Sequence, residues 1–182
     1  DLFNINPPSS ASVDFDGMDD FLSGNSILNG LGEVSIMAWI KIDKTSTGVP
    51  KATIMSEGLG CRLFVENGNQ IVFGVNTSAG NSKNVNGGQI YYDEWHLVAG
   101  IFSGNTGEQI IYIDGEQIKR DVSSPNIGAR ISTTNKWIGD FEVGRLSRSI
   151  PNRQYFKGQI DEIRVFNKAL TESQVKAMVY QE

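Results

Sequence analysis

The stretch Gly158-Gln159-Ile160-Asp161-Glu162-Ile163-Arg164-Val165-Phe166-Asn167-Lys168-Ala169-Leu170-Thr171 decides how the rest of the chain is read. Ile163 and Val165 alternate with Arg164 and Phe166, the period of two that a strand shows when one face is buried. A short helix follows at once. Thr171 and Gln174 make a capping box, because the hydroxyl and the amide can each satisfy an orphan helix donor. Val175, Met178 and Val179 then give that helix one apolar stripe. Asp161 stands out, since a carboxylate beside a core strand is costly unless a cation or a set of donors holds it.

Working outward, 20 glycines, many beside Asn, Ser or Asp, divide the chain into short β-branched and aromatic runs. These runs are 12–15, 33–42, 52–56, 62–66, 70–75, 95–102, 109–114, 117–121, 136–139 and 159–166. Many short strands between turn residues mark a sandwich or barrel. Asn67-Gly68 and Asp114-Gly115 each sit between such runs, where a tight hairpin turn needs positive φ. Two segments read as long surface loops: 76–88, nearly all Asn, Ser, Gly and Lys, and 144–154, with Arg145, Arg148 and Arg153 around Pro151. Residues 1–10, with Pro7-Pro8, read as an extended lead-in to a single domain over 11–182.

At 182 residues, one domain can bury roughly 70% of its unfolded surface and needs no covalent staple. The single cysteine, Cys61, excludes an internal disulfide framework and a Cys-based metal cluster. Its apolar setting, Cys61-Arg62-Leu63-Phe64-Val65, suits a small core filler. A net charge of −5 argues against nucleic acid or an anionic membrane as the main partner. No apolar run approaches the roughly 20 residues that a spanning helix needs. An opening Asp-Leu-Phe-Asn in place of Met suggests a mature or excised part of a longer protein.

Four stretches in order resemble the laminin-G-like jelly-roll domains of the concanavalin A-like lectin/glucanase superfamily. They are Ser12-Val13-Asp14-Phe15-Asp16-Gly17-Met18-Asp19-Asp20-Phe21, Val34-Ser35-Ile36-Met37-Ala38-Trp39-Ile40-Lys41, Glu94-Trp95-His96-Leu97-Val98-Ala99-Gly100 with Tyr112-Ile113-Asp114-Gly115, and the Gly-x-Ile-Asp-Glu-Ile-Arg strand. Leu97 departs from the pattern, standing where the family often has a second histidine. The resemblance implies an all-β, two-sheet antiparallel jelly-roll sandwich with a short C-terminal helix, its first and last strands neighbours. It also implies a structural calcium held by Asp16, Asp19, Asp20 and Asp161, since a hard cation takes six to eight oxygens. The plainer alternative has Asp16 and Asp20 making Asx turns and Asp161 meeting Arg164 or a backbone amide.

The superfamily includes hydrolases and lyases, so catalysis has to be weighed. A glycosidase needs paired carboxylates across a cleft, and the Glu-x-Asp-x-x-Glu strand pattern that the resemblance would require does not occur. Asp161 and Glu162 are adjacent, so a regular strand points them to opposite faces. Asp114, Glu116 and Asp121 read as solvated hairpin positions. His96, the one histidine, falls in a core strand and suits polar packing better than base catalysis.

Binding is the better expectation. Trp39 and Trp95 lie in apolar strands, whereas Trp137 and Tyr91 are candidates for exposed aromatic platforms. Arg145 and Arg148 lie in a basic segment of an acidic chain and suit bidentate contact with carboxylate or sulfate, against the plainer reading of a solvated loop. The chain therefore reads first as a non-catalytic carbohydrate-binding module of a larger secreted or surface bacterial protein, its partner a polysaccharide or glycan. A structural or adhesion domain that binds protein partners is the second reading. A polysaccharide hydrolase or lyase is the third.

Overall fold

A computed structural model describes residues 11–132, 139–146 and 154–180 of the chain. Among these residues twelve strands and one α-helix follow one another, with two short 3-10 turns between strands. They are β1 (Val13–Asp16), β2 (Leu22–Gly24), β3 (Glu33–Ile42), β4 (Lys51–Glu57), β5 (Cys61–Glu66), β6 (Gln70–Asn76), β7 (Ser82–Gln89), β8 (Trp95–Ser103), β9 (Glu108–Ile113), β10 (Glu116–Val122), β11 (Phe141–Val143), β12 (Lys157–Phe166) and α1 (Glu172–Val179). The first sheet runs β1-β12-β3-β8-β9-β10 and the second β2-β11-β4-β5-β6-β7, every described pairing antiparallel. This is the jelly-roll sandwich expected, with β1 beside β12 as the first and last strands had to be.

The core forms where the inner faces meet. Ile36, Ala38, Ile40, Val98, Ile111 and Ile160 of the first sheet face Ile54, Leu63, Val65, Ile71 and Phe73 of the second. The sheets close tightly around Gly100, where a Cβ would strike the Phe73 ring. Cys61 belongs to this core, and burial pushes its thiol well above the usual range, as an inert filler requires.

A second apolar layer covers the other side of the first sheet. Met37, Trp39, Leu97, Ala99 and Tyr112 point away from the sandwich core and pack against Leu170, Val175 and Val179. The helix starts with the capping box expected: Gln174 N–H donates to Thr171 Oγ1, and Thr171 N–H donates to Gln174 Oε1 at 2.9 Å. Both hairpins form, with positive φ at Asn67 and Gly68 and at Asp114 and Gly115.

Three expectations are corrected. Half of the presumed loop 76–88 is β7, an edge strand with only Val85 buried among its eight residues. The run Asp161-Glu162 is not regular: the β12–β3 register shifts between Asp161 and Arg164, and Glu162 adopts φ 48°. This bulge lets both Ile160 and Ile163 pack on the core. Asp114 is a structural acceptor and not a solvated hairpin position: it takes Leu97 N–H at 2.9 Å and contacts His96 Nδ1 at 2.7 Å. The run 136–139 lies almost wholly outside the described residues.

Candidate functional site

The acidic residues near β1 converge in part. Asp16, Asp19 and Asp20 place carboxylate oxygens within 4.8 Å of one another on an exposed turn. Asp16 Oδ1 accepts Met18 N–H at 2.7 Å, and Asp20 Oδ2 accepts Asp16 N–H at 3.0 Å, so the turn is also an Asx-type structure. Two of the carboxylate oxygens thus have backbone N–H donors.

Asp161 does not join them. Asp16 pairs in register with Lys157, four positions before Asp161, a displacement of about 13 Å along the strand. Asp161 pairs instead with Trp39, and its Oδ1 accepts the N–H of Glu162 at 2.8 Å. That bond stabilises the left-handed residue of the bulge. Of the two sequence readings of Asp161, its geometry matches the backbone amide.

The outer face of the second sheet is built differently from that of the first. The registers line up Ser23, Glu142, Ser56, Arg62, Gly74 and Asn84 across β2, β11, β4, β5, β6 and β7. Paired residues project to one face, so this is a polar row across a whole sheet. Arg145 lies against it, donating Nε–H and Nη2–H to Glu142, each at 2.7 Å. Its guanidinium also stacks on the Phe21 ring, 3.1 Å from the centroid. The bidentate bond to Glu142 raises the Arg145 pKa. Arg145 is therefore already paired, contrary to the open anion site that its position in the sequence suggests.

Tyr91 is 73% exposed, with its ring centroid 6.4 Å from that of His96. His96 is buried; its Nε2 accepts Tyr91 N–H at 3.3 Å while Nδ1 meets Asp114. Both ring nitrogens are engaged, Nε2 with the Tyr91 amide and Nδ1 with Asp114, as the packing role expected of this histidine requires. Trp137 and Arg148 lie outside the described residues.

One acidic residue gave no sign in the sequence. Glu57 is fully buried at the end of β4, where its carboxylate accepts Ser26 Oγ–H and the N–H groups of Ile27, Leu28 and Asn29 at 2.6–3.1 Å. Its donors lie about thirty residues upstream, so no local motif could have identified it.

A two-layer antiparallel sandwich of this topology defines a lectin-like jelly roll. The chain belongs to the laminin-G-like family of the concanavalin A-like lectin/glucanase superfamily, whose model matches residues 15–176. Among solved structures, it is similar to a SAP-like pentraxin from Limulus polyphemus (17% identity, TM-score 0.69, 92% of this chain and 81% of that one). A putative carbohydrate binding protein from Bacteroides ovatus matches at 18% identity and TM-score 0.71, over 91% of this chain but only 45% of its own. The CBM40 module of a Ruminococcus gnavus sialidase, bound to α2,3-sialyllactose, matches at 15% identity and TM-score 0.68, over 87% of this chain and 97% of the module. These likenesses establish the fold. No sequence among curated proteins matches the chain.

Proposed function

We propose that this chain is a non-catalytic carbohydrate-binding module of a larger secreted or surface protein. The observation that carries the reading is correspondence in extent: chain and sialidase module are the same sandwich over nearly the whole of the module, and that module was solved with a sialylated glycan. A bacterial origin and attachment to other domains belong to the same reading. The engaged state of His96 supports a binding role over catalysis, because a base with both nitrogens committed has none free for substrate. Tyr91 offers the exposed ring on which a sugar face can stack.

A structural calcium belongs to the same proposal. Its support is the group Asp16, Asp19 and Asp20, three carboxylates close enough to share one hard cation. When bound, the ion would neutralise their mutual repulsion and tie the turn after β1. Asp161 lies outside this group, its Oδ1 bonded to the Glu162 amide.

Adhesion to a protein partner is the second reading. It is favoured by the exposed apolar side chains Met18, Leu22 and Ile27 near the edge strand β2.

Affinity electrophoresis through neutral and acidic polysaccharides, with calcium or chelator, tests the proposal. Retardation by at least one polysaccharide, weakened by Tyr91→Ala, is expected. Unimpeded migration through all of them would reject it, as would release of shortened sugar products.

A further inference from the structure

The apolar layer beneath α1 includes Ile101 and Tyr112. At its margin, where residues 169–172 lead into the helix, a cavity of about 370 Å3 opens over β8, β9 and β10, within the roughly 300–1,000 Å3 of small-molecule sites. Ile110, half-buried and paired with Ile101, forms its floor. It faces outward because its neighbour Ile111 is committed to the core. The far wall depends on an irregularity. In a regular strand Gln117 and Lys119 would share a face, but the β9–β10 register shifts between them and sets Arg120 opposite Ile110. Gln117, opposite Tyr112, and Arg120 therefore both line the cavity.

The charges around this cavity cancel in pairs. Arg120 binds Glu108 across the strands, and Lys176 Nζ meets Glu172 at 2.8 Å. Ser103 and Thr171 are engaged as well, with Glu33 and with the Gln174 amide of the helix cap. Three uncharged side chains remain. Those of Thr106, Tyr112 and Gln117 line the cavity and make no hydrogen bond to any described residue. Tyr112 matters most. It is only 3% exposed, and the surface it keeps lies on the cavity. Burial, and then the Glu172 carboxylate, raises its pKa, so the hydroxyl is present as donor and acceptor. A buried hydroxyl is unfavourable without a partner, and no described residue supplies one.

An apolar floor facing uncharged donors and acceptors matches a molecule with one C–H face and several hydroxyls. A carboxylate or sulfate would find no free cation there. We propose that this cavity is a subsite for a neutral sugar ring, its C–H face on Ile110 and its hydroxyls bonded to Tyr112, Gln117 and Thr106. This rests on the carbohydrate-binding reading above and adds to it a second location, at the opposite end of β8 from Tyr91 and His96. Acidic sugars are left to the Tyr91 platform.

The test follows backbone amide resonances of the whole chain by NMR during titration with methyl glucoside, methyl galactoside, methyl mannoside and methyl glucuronide. At least one neutral glycoside should shift Ile110, Tyr112 and Gln117 saturably. The glucuronide should bind there about tenfold more weakly, since its carboxylate must be buried without a partner. Tyr112→Phe removes one hydroxyl from an otherwise unchanged ring and should weaken the neutral sugar about tenfold. Gln117→Ala, on an exposed strand, should weaken it about threefold, so a packing defect in the first variant leaves the second as a test. Equal affinity for glucuronide and neutral glycosides, or indifference to both substitutions, would overturn the inference. Retardation by a polysaccharide with no glycoside moving Tyr112 would do the same while leaving carbohydrate binding intact. If no glycoside moves any resonance and no polysaccharide retards the chain, both readings fall.

Discussion

The two sheets share one core yet cover their outer faces with different chemistry. On the first sheet, Met37, Trp39, Leu97 and Tyr112 are sealed beneath α1. On the second, the corresponding surface combines the fully buried Phe64 and Val72 with serines, a buried ion pair and exposed asparagines. A sandwich is stabilised by its inner layer, so an outer face can be either closed with apolar packing or kept polar for recognition. Here the helix closes one, whereas the 145–154 segment meets the other through Thr53 N–H and Ser56 Oγ–H.

The sharpest way to break this contrast is to damage the closed face. Trp39→Ala removes a nearly fully buried indole and should destabilise the domain by about 3–5 kcal/mol, read from the denaturant midpoint. The polar face should answer to electrostatics instead. Glu142→Ala leaves Arg145 unpaired, with only 13% of its side chain exposed, and should cost about 3 kcal/mol in the same measurement. If Glu142→Ala were neutral, the ion pair would not be a structural element of that face.

Finer effects sharpen the picture. Calcium at ten times its dissociation constant should stabilise by about 1.4 kcal/mol, raising Tm by about 3–6 °C over a chelated sample. An unchanged melting temperature would remove the ion from the account. Thr171→Ala deletes the helix cap and should cost about 1 kcal/mol in thermal unfolding. Smallest of all is Asp43, whose pKa is lowered first by its hydrogen bonds to Thr45. A carboxylate with a depressed pKa contributes stability above its unfolded value of 3.8 and loses it as pH falls through the folded value. The stability difference between the native protein and Asp43→Asn should therefore vanish in strong acid and persist at neutral pH.

The parts of this fold legible in the sequence were those with local causes. The long runs of β3 and β8 are buried almost throughout, and the Asn-Gly and Asp-Gly turns declare their hairpins by backbone chemistry. β7 escaped notice because an edge strand with one buried side chain has the composition of a loop. β2 and β11 are only three residues each, too short for any period to show. The site was less legible for a related reason. The row through Arg62 and Gly74 arises from strand registers, and Glu57 meets a loop segment about thirty residues upstream, whereas the Arg145–Glu142 pair, three residues apart, shows no period that marks it as an ion pair. Asp161 attracted attention for its charge, but a bulge that no residue pattern announces gives it a local partner. Asp16, Asp19 and Asp20 are contiguous on one turn, and sequence proximity alone was enough to place them together.

The most direct test of the division between the two faces is a backbone amide chemical-shift map recorded during titration with a glucuronate-containing oligosaccharide. The account predicts perturbations that include Tyr91, the exposed ring on which a sugar face stacks, with α1 and the Trp39 layer unmoved. Perturbations centred on α1 and β3 would contradict it.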